Sequence, residues 1–431
     1  MRTKTADCLP GSGNVGCSAM WDARQWREMP FGMLANVRSG FAFKTSEWRT
    51  SGVRVVKIGN VKSGRLDMEG CSFVSPTTAK NTGFMLQRGD LVLGLTGYVG
   101  DYAVVRNEGP LVLNQRVGKV TPRQNVDPYF VACVVSSPEF RAAVERASHG
   151  SAQANVSPGS IESIEVLVPP LSTQRGIAEI IRSLDDKIEL NRKMNETLEA
   201  MARAIFKSWF VDFDPVHAKA AGRKPEGMDT ETARLFPDGF VESELGLIPR
   251  GWEIHTIGDL LSLEYGKALK ESDRQPGHVL VFGSNGVVGR HTEPLVRGSG
   301  IVVGRKGNPG IVKWAPSDFF VIDTAFYVQT KNNHGMRFLF HQLDGLGLAR
   351  LSADSAVPGV NRNAIYEEQI VVPPNEVVEH FEILAQSLAF LAEARERESE
   401  TLSRVRDELL PRLLSGELAV GCAAKKVEAS R

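Results

Sequence analysis

The stretch VLVPPLSTQRGIAEII, residues Val166–Ile181, changes its repeat halfway along. An apolar run reads as a strand up to Pro169 and Pro170. After the prolines, apolar residues return every three or four positions, which is helical spacing. Proline has no backbone N–H to continue a ladder, while its fixed φ suits the first turn of a helix. A second copy, IVVPPNEVVEHFEIL, begins at Ile370. The chain therefore passes twice from a strand through Pro-Pro into a long helix.

The duplication extends upstream of both junctions. Laid ungapped, SHGSAQANVSPGSIESIEVLVPP from Ser148 and SADSAVPGVNRNAIYEEQIVVPP from Ser352 agree at 8 of 23 positions, among them Ser151 with Ser355 and Ile161 with Ile365. WREMPFGMLANVRSG at Trp26 aligns with WEIHTIGDLLSLEYG at Trp252. GLTGYVGDYAVV at Gly94 aligns with GRKGNPGIVKWA at Gly304, with glycines three apart in each. Three blocks in one order mark two related domains. Their short β-rich runs, such as VRVVKIGNV and FFVIDTAFYVQ, are broken by Gly, Pro, Asn and Asp. That pattern predicts a loop-rich, mostly antiparallel α+β domain with short helices.

The segments after the prolines carry heptad spacing. One seam is Ile177, Ile181, Leu184, Ile188, Asn191, Asn195, Leu198, Ala202, Ile205 and Trp209. The other is Val377, Phe381, Leu384, Leu388, Leu391, Arg395, Glu398, Leu402, Val405 and Leu409. A polar break sits at mid-height in both, as expected where register and partner must be specified. Each helix could cover its own domain. Equal length, shared period and matching breaks favour pairing with each other, through Ile181, Leu184, Ile188, Asn191 and Leu198 against Leu384, Leu388, Leu391, Leu402 and Val405. About 38 residues make a rod of roughly 57 Å, long for one small domain and suited to a spacer.

These readings divide the 431 residues into an arm (1–21), a first β-rich domain (22–170), a central helix (171–212), a linker with little core (213–249), a second β-rich domain (250–374), a C-terminal helix (375–415) and a tail (416–431). Met20 offers an alternative start. No run of about 18 apolar residues predicts a membrane span. The five cysteines show no ligand spacing, which fits a reducing cytoplasm rather than a disulfide framework. Net charge is zero, but residues 1–170 hold 19 Lys and Arg against 14 Asp and Glu, and residues 375–417 hold 5 against 10. The acidic outer face of the second helix (Glu393, Glu396, Glu400) is expected to be solvated or to meet a protein, not DNA.

At the first junction, PPLSTQRGIAEIIRSLDDKIELNRKMNETLEAMARAIFKSWFVDFDPV, then GRKPEGMD and LFPDGFVESELGLIPRGW, resemble the specificity subunit of type I restriction–modification enzymes. The resemblance runs from about Trp26 to Leu418. It implies two target-recognition domains, each reading half of a split DNA sequence, on two long helices paired as an antiparallel coiled coil. It implies partners as well: double-stranded DNA, two methyltransferase subunits docked on the helices, and restriction–translocase subunits in the larger complex. Catalysis and cofactors (S-adenosylmethionine, ATP and Mg) are then expected on those subunits, with none bound here.

Other signals are weak. GSGNVG at Gly11 follows no strand, DPYF at Asp127 lacks the second proline of an amino-methyltransferase tetrad, no phosphate loop exists, and the eight histidines show no ligand pairing. The glycine loops are better placed to meet DNA. Glycine allows close approach, Arg and Lys suit phosphate or guanine, and Asn suits adenine. The candidates are Thr96 and Tyr98 in the first loop, and Arg305, Lys306 and Asn308 in the second. Asn114, Gln115 and Arg116 form an amide–amide–guanidinium cluster suited to base edges, and Gln153 and Asn155 are candidates for backbone contact. Ser284, Asn285, Arg290, Asn361 and Arg362 complete the set in the second domain. The bland alternative is turn formation. Phe206, Trp209 and Phe210 are expected to form either local core or a plug against a partner. The sequence leaves two rival functions open: a fused DNA adenine methyltransferase–recognition protein, and a coiled-coil adaptor without DNA binding.

Overall fold

The computed structural model describes residues 25–106, 109–149, 154–331, 335–353 and 359–429. The expected arm, Met20, the Gly11 motif, Cys8, Cys17, Ser151, Gln153 and Ser355 lie outside them. Two units form, Met1–Asn191 with Arg397–Arg431 and Arg192–Glu396, so both unit boundaries fall inside the long helices.

The two units repeat one α+β plan. In the first, a four-stranded sheet runs Tyr102–Val104, Leu91–Gly94, Val117–Pro122, Ala35–Ser39. In the second, the equivalent order is Val312–Ala315, Gly300–Gly304, Ala325–Thr330, Leu261–Tyr265. Register repeats too: Gly94 lies opposite Val117, and Gly304 opposite Ala325. Each unit adds a second sheet with one parallel pairing, Leu111–Leu113 on Arg54–Val56 and Phe319–Val321 on Leu280–Phe282. The strand before each proline pair closes its domain against the first strand, Met29 opposite Val166 and Ile254 opposite Val371.

The helices that follow span Leu171–Phe210 and Asn375–Leu414. Proline carbonyls start both: Pro170 O accepts from Thr173 and Gln174 N–H, and Pro374 O from Val377 and Val378 N–H. In the first unit, Ile177, Ile181 and Leu184 share a core with Leu402, Leu409 and Leu413. Asp185 accepts from Arg406 Nη1 at 2.9 Å and from the Tyr129 hydroxyl at 2.6 Å. Burial, then the Asp185 carboxylate, push the Tyr129 phenol well above its usual range. Burial alone would lower Arg406, but Asp185 and Asp407 hold it above. Asn191, fully buried, donates to Glu398 Oε2 at 3.0 Å. In the second unit, Asn195 Nδ2 donates to Ala392 O at 3.1 Å, and Phe206 meets Phe381. In each unit, rising numbers on one helix meet falling numbers on the other, so the helices pack antiparallel.

The seam of the second helix differs from the expected one. Leu384 and Leu391 are exposed, at 41% and 48%. Ala385 is buried instead, and Ala392 offers its carbonyl to the seam amide Asn195. The period is right and the phase is one residue off at these steps. Small alanines let the backbones approach closely enough for that amide contact, which leucine would prevent. Ile181, Leu184 and Leu402 are buried, while Ile188, Leu198, Leu388 and Val405 are half-buried.

The stretch expected to be a linker with little core is another correction. Val216 and Phe236 are fully or almost fully buried beside Trp209, Phe210 and Trp252. The chain enters this region through Phe213, whose φ of 53° lies in the left-handed region. Its ring is held by Trp252 at 5.6 Å and Phe240 at 6.3 Å, which supports a backbone state that is costly for a side chain with a Cβ. Phe206, Trp209 and Phe210 are thus local core. Residues read as a tail include a helix, Val420–Ala429, whose Ala423 and Val427 join the first core. Gly176 permits this docking, since a Cβ there would lie 2.8 Å from Val420 Cγ1.

Candidate nucleic-acid interface

The two glycine loops have one backbone and two sets of side chains. Gly94 N–H donates to Asp101 O and Gly100 N–H to Gly94 O, at 2.7 and 3.2 Å. Gly304 N–H donates to Ile311 O and Gly310 N–H to Gly304 O, both at 2.8 Å. Gly97 and Gly100 have φ of 80° and 83°; Gly307 and Gly310 both have 82°. The turn chemistry expected as the bland alternative is therefore real, because only glycine holds this conformation without strain. A neighbouring segment bridges each loop, Asn155 to Thr96 and Gly359 to Lys306. A turn on the adjoining strand supports each from the other side, Leu95 N–H donating to Arg116 O and Arg305 N–H to Thr324 O.

In the first unit this frame brings together Thr96, Tyr98, Asn114, Gln115, Arg116 and Asn155. Thr96 Oγ1 donates to Asn155 Oδ1 at 2.8 Å, so these two side chains bind each other. Tyr98 stands 61% exposed at the loop tip, with the Lys62 ammonium 6.0 Å from its ring.

In the second unit it gathers Ser284, Asn285, Arg305, Lys306, Asn308, Asn361 and Arg362. Asn308 Nδ2 donates to Asn285 Oδ1 at 2.5 Å, and Lys306 is exposed. Two expected readers do structural work instead. Ser284 Oγ reaches Lys306 O and Thr324 O at 2.5 and 2.6 Å, tying the loop to its support. Asn361 caps the helix Arg362–Tyr366 by accepting from Asn363 N–H. Arg290 donates to His278 O at 3.2 Å, off the loop.

Three residues were missed. Besides Lys62, they are Tyr265 and Tyr366. Tyr265 lies under both Arg305 and Arg362, 4.7 and 5.2 Å from ring centroid to guanidinium. The Tyr366 hydroxyl accepts from Leu263 N–H at 2.8 Å. The signal was in the repeat alignment, where Tyr265 faces Ser39 and Tyr366 faces Glu162.

DPYF is a helix start and not a catalytic tetrad: Asp127 Oδ1 accepts from Tyr129 and Phe130 N–H. Among the described residues, no group of three or more His, Cys, Asp or Glu could hold a metal, and no helix is long and apolar enough to cross a membrane.

The model of the type I restriction modification DNA specificity domain matches residues 23–200 and again 249–402, one match per repeat. This chain belongs to that family. Its relatives include the HindI specificity subunit of Haemophilus influenzae, 28% identical over 60% of this chain and 70% of that subunit. The MjaIX specificity subunit of Methanocaldococcus jannaschii is 22% identical over 77% of this chain and 78% of its own length. The fold is similar to the crystal structure of a type I restriction-modification S subunit from M. genitalium, with TM-score 0.53, 15% identity, and coverage of 90% and 96%. Within the two matched regions, the glycine loops share one backbone and carry different side chains.

Proposed function

We propose that each β-rich domain of this specificity subunit reads one half of a bipartite DNA target through its glycine-loop platform, and that the chain itself catalyses nothing. The observation that carries this reading is the pair of loops with matching φ values and hydrogen bonds but unmatched side chains. One backbone presented twice suits two contacts with one kind of surface; different side chains suit two different half-sites. The paired helices set the spacing. Forty residues make a rod of about 60 Å. Ile383, Leu384, Phe390 and Leu391 remain exposed on the second helix. That stripe suits docking of methyltransferase subunits, two in the full complex, with restriction–translocase subunits joining through it. S-adenosylmethionine, ATP and Mg act on those subunits, in the cytoplasm.

Selection from a random duplex library by the chain with its methyltransferase partners tests this. Two short, different motifs at one constant spacing are expected. A single uninterrupted motif, or no enrichment, contradicts the reading; the latter would favour an adaptor without DNA binding.

A further inference from the structure

The two platforms differ most at one place. In the second unit, Arg305 and Arg362 both lie over the Tyr265 ring, at 4.7 and 5.2 Å. Phe326 packs against Tyr265 at 5.0 Å and also lies under Arg305. Tyr366 lies beside Arg362 at 5.8 Å. Each guanidinium is anchored at one nitrogen to a backbone carbonyl, Arg305 Nη1 to Asp323 O and Arg362 Nη1 to Leu263 O. Both are half-buried, and among the described residues neither has a carboxylate within ion-pairing distance.

The equivalent positions in the first unit are uncharged or acidic: Leu95 for Arg305, Pro158 for Arg362, Ser39 for Tyr265, Gly118 for Phe326 and Glu162 for Tyr366. The frame beneath is shared. Glu162 Oε1 accepts from Val37 N–H at 2.7 Å, the equivalent of the Leu263 N–H taken by Tyr366. A Cβ on Gly118 would touch Leu95 just where Arg305 overlies Phe326. The arginine cluster is therefore an addition to a common scaffold.

We propose that Arg305 and Arg362, positioned by Tyr265, form a clamp for one backbone phosphate of the second half-site, with no counterpart in the first domain. Two guanidiniums held against one ring leave two positive charges that the aromatic face offsets only partly, and a phosphate reached by both supplies the missing negative charge. A guanine edge also accepts from arginine, but it carries no charge to balance the two guanidiniums. Fixed carbonyl anchors leave the remaining N–H edges pre-aimed, so little side-chain freedom is lost on binding. This rests on the DNA-reading role of the second domain.

The test uses the full chain in complex with its methyltransferase subunits and the duplex it selects, with affinity followed against salt. Arg305→Leu, which installs the residue of the first domain, and Arg362→Gln should each lower the slope of log K against log salt, and the two combined should lower it by about 0.9, as for one phosphate no longer neutralised. The selected half-sites should not change. Tyr265→Phe, which keeps the ring, should match the wild type, and Tyr265→Ala should weaken binding in the same salt-dependent way. Relaxed selection at one base of the second half-site with an unchanged slope would identify a guanine contact and overturn the clamp. Unchanged slope and selection in both arginine variants would overturn it as well. Arg305→Lys, which keeps the charge, should preserve most of the slope and guards against misreading a folding defect. If the wild-type complex selects no duplex, the DNA-reading role itself fails, a result separate from either outcome.

Discussion

The first and second domains are built on one frame and finished with different chemistry. At the same backbone N–H, on Val37 in one and Leu263 in the other, the first domain uses the Glu162 carboxylate and the second the Tyr366 hydroxyl. At the same loop position the first places Leu95 and the second Arg305. Hydrogen bonds that shape the loops are kept, while side chains that stand on them are exchanged. A backbone frame that needs only glycines and strand pairing can be copied intact, which leaves the surface open to diverge.

The largest expected contrast between the domains is with acid. His341, in the second unit, lies among Phe206, Phe340 and Phe381, and burial followed by Arg337 and Arg203 depresses its pKa to about 4. The folded state keeps it neutral, and the unfolded chain protonates it below about pH 6.5. Stability should therefore fall as pH drops through 6.5 and be lost by about pH 4, by up to about 3 kcal/mol. The only histidine in the residues of the first unit, His149, is exposed. Urea denaturation across this range should show the loss, and His341→Leu should flatten it. An equal pH dependence in that variant would show that other groups carry it.

The helix seam gives a second contrast. Ala392→Leu should overpack the seam, displace the Asn195 amide and cost about 1–3 kcal/mol. Leu391→Ala, one residue away on the exposed face, should cost under about 0.5 kcal/mol in the isolated chain. Reversed magnitudes would restore the seam read from the heptads. In the shared frame, Tyr366→Phe should cost about 1 kcal/mol by leaving Leu263 N–H unpaired, while Glu162→Ala should cost somewhat more because its acceptor is charged. If either variant were neutral in denaturation, that N–H would not be a common fixed point of the two domains.

Much of the architecture was legible because it rests on local covalent constraints. Pro169-Pro170 and Pro373-Pro374 end strands wherever they occur, and glycines three apart impose the same loop twice. The phase of the second helix was not legible. Leu384 and Ala385 both suit a heptad, and the choice depends on how closely another helix approaches. Phe236 and Val216 resemble linker residues because the Pro, Gly and charged residues around them dominate local composition, yet an aromatic cluster buries both. For the site, the loops were legible as places, and the roles of single side chains were not. Asn361 caps a helix and Ser284 binds carbonyls, functions that only neighbours reveal. Tyr265 carried a signal in the mismatch with Ser39, but a mismatch gains meaning only when the arginines above it are seen.

The central claim is that two separate readers are held at a set spacing by the paired helices. It is tested most directly by mapping DNA methylation in cells carrying the chain with its methyltransferase subunits, and in cells where one heptad is removed from each long helix. The wild type should give a two-part motif with unlike halves. The shortened chain should keep both halves and bring them closer by about 3 base pairs, since seven residues span about 10 Å and duplex DNA rises about 3.4 Å per pair. Unchanged spacing, or altered half-sites at the old spacing, would contradict the account.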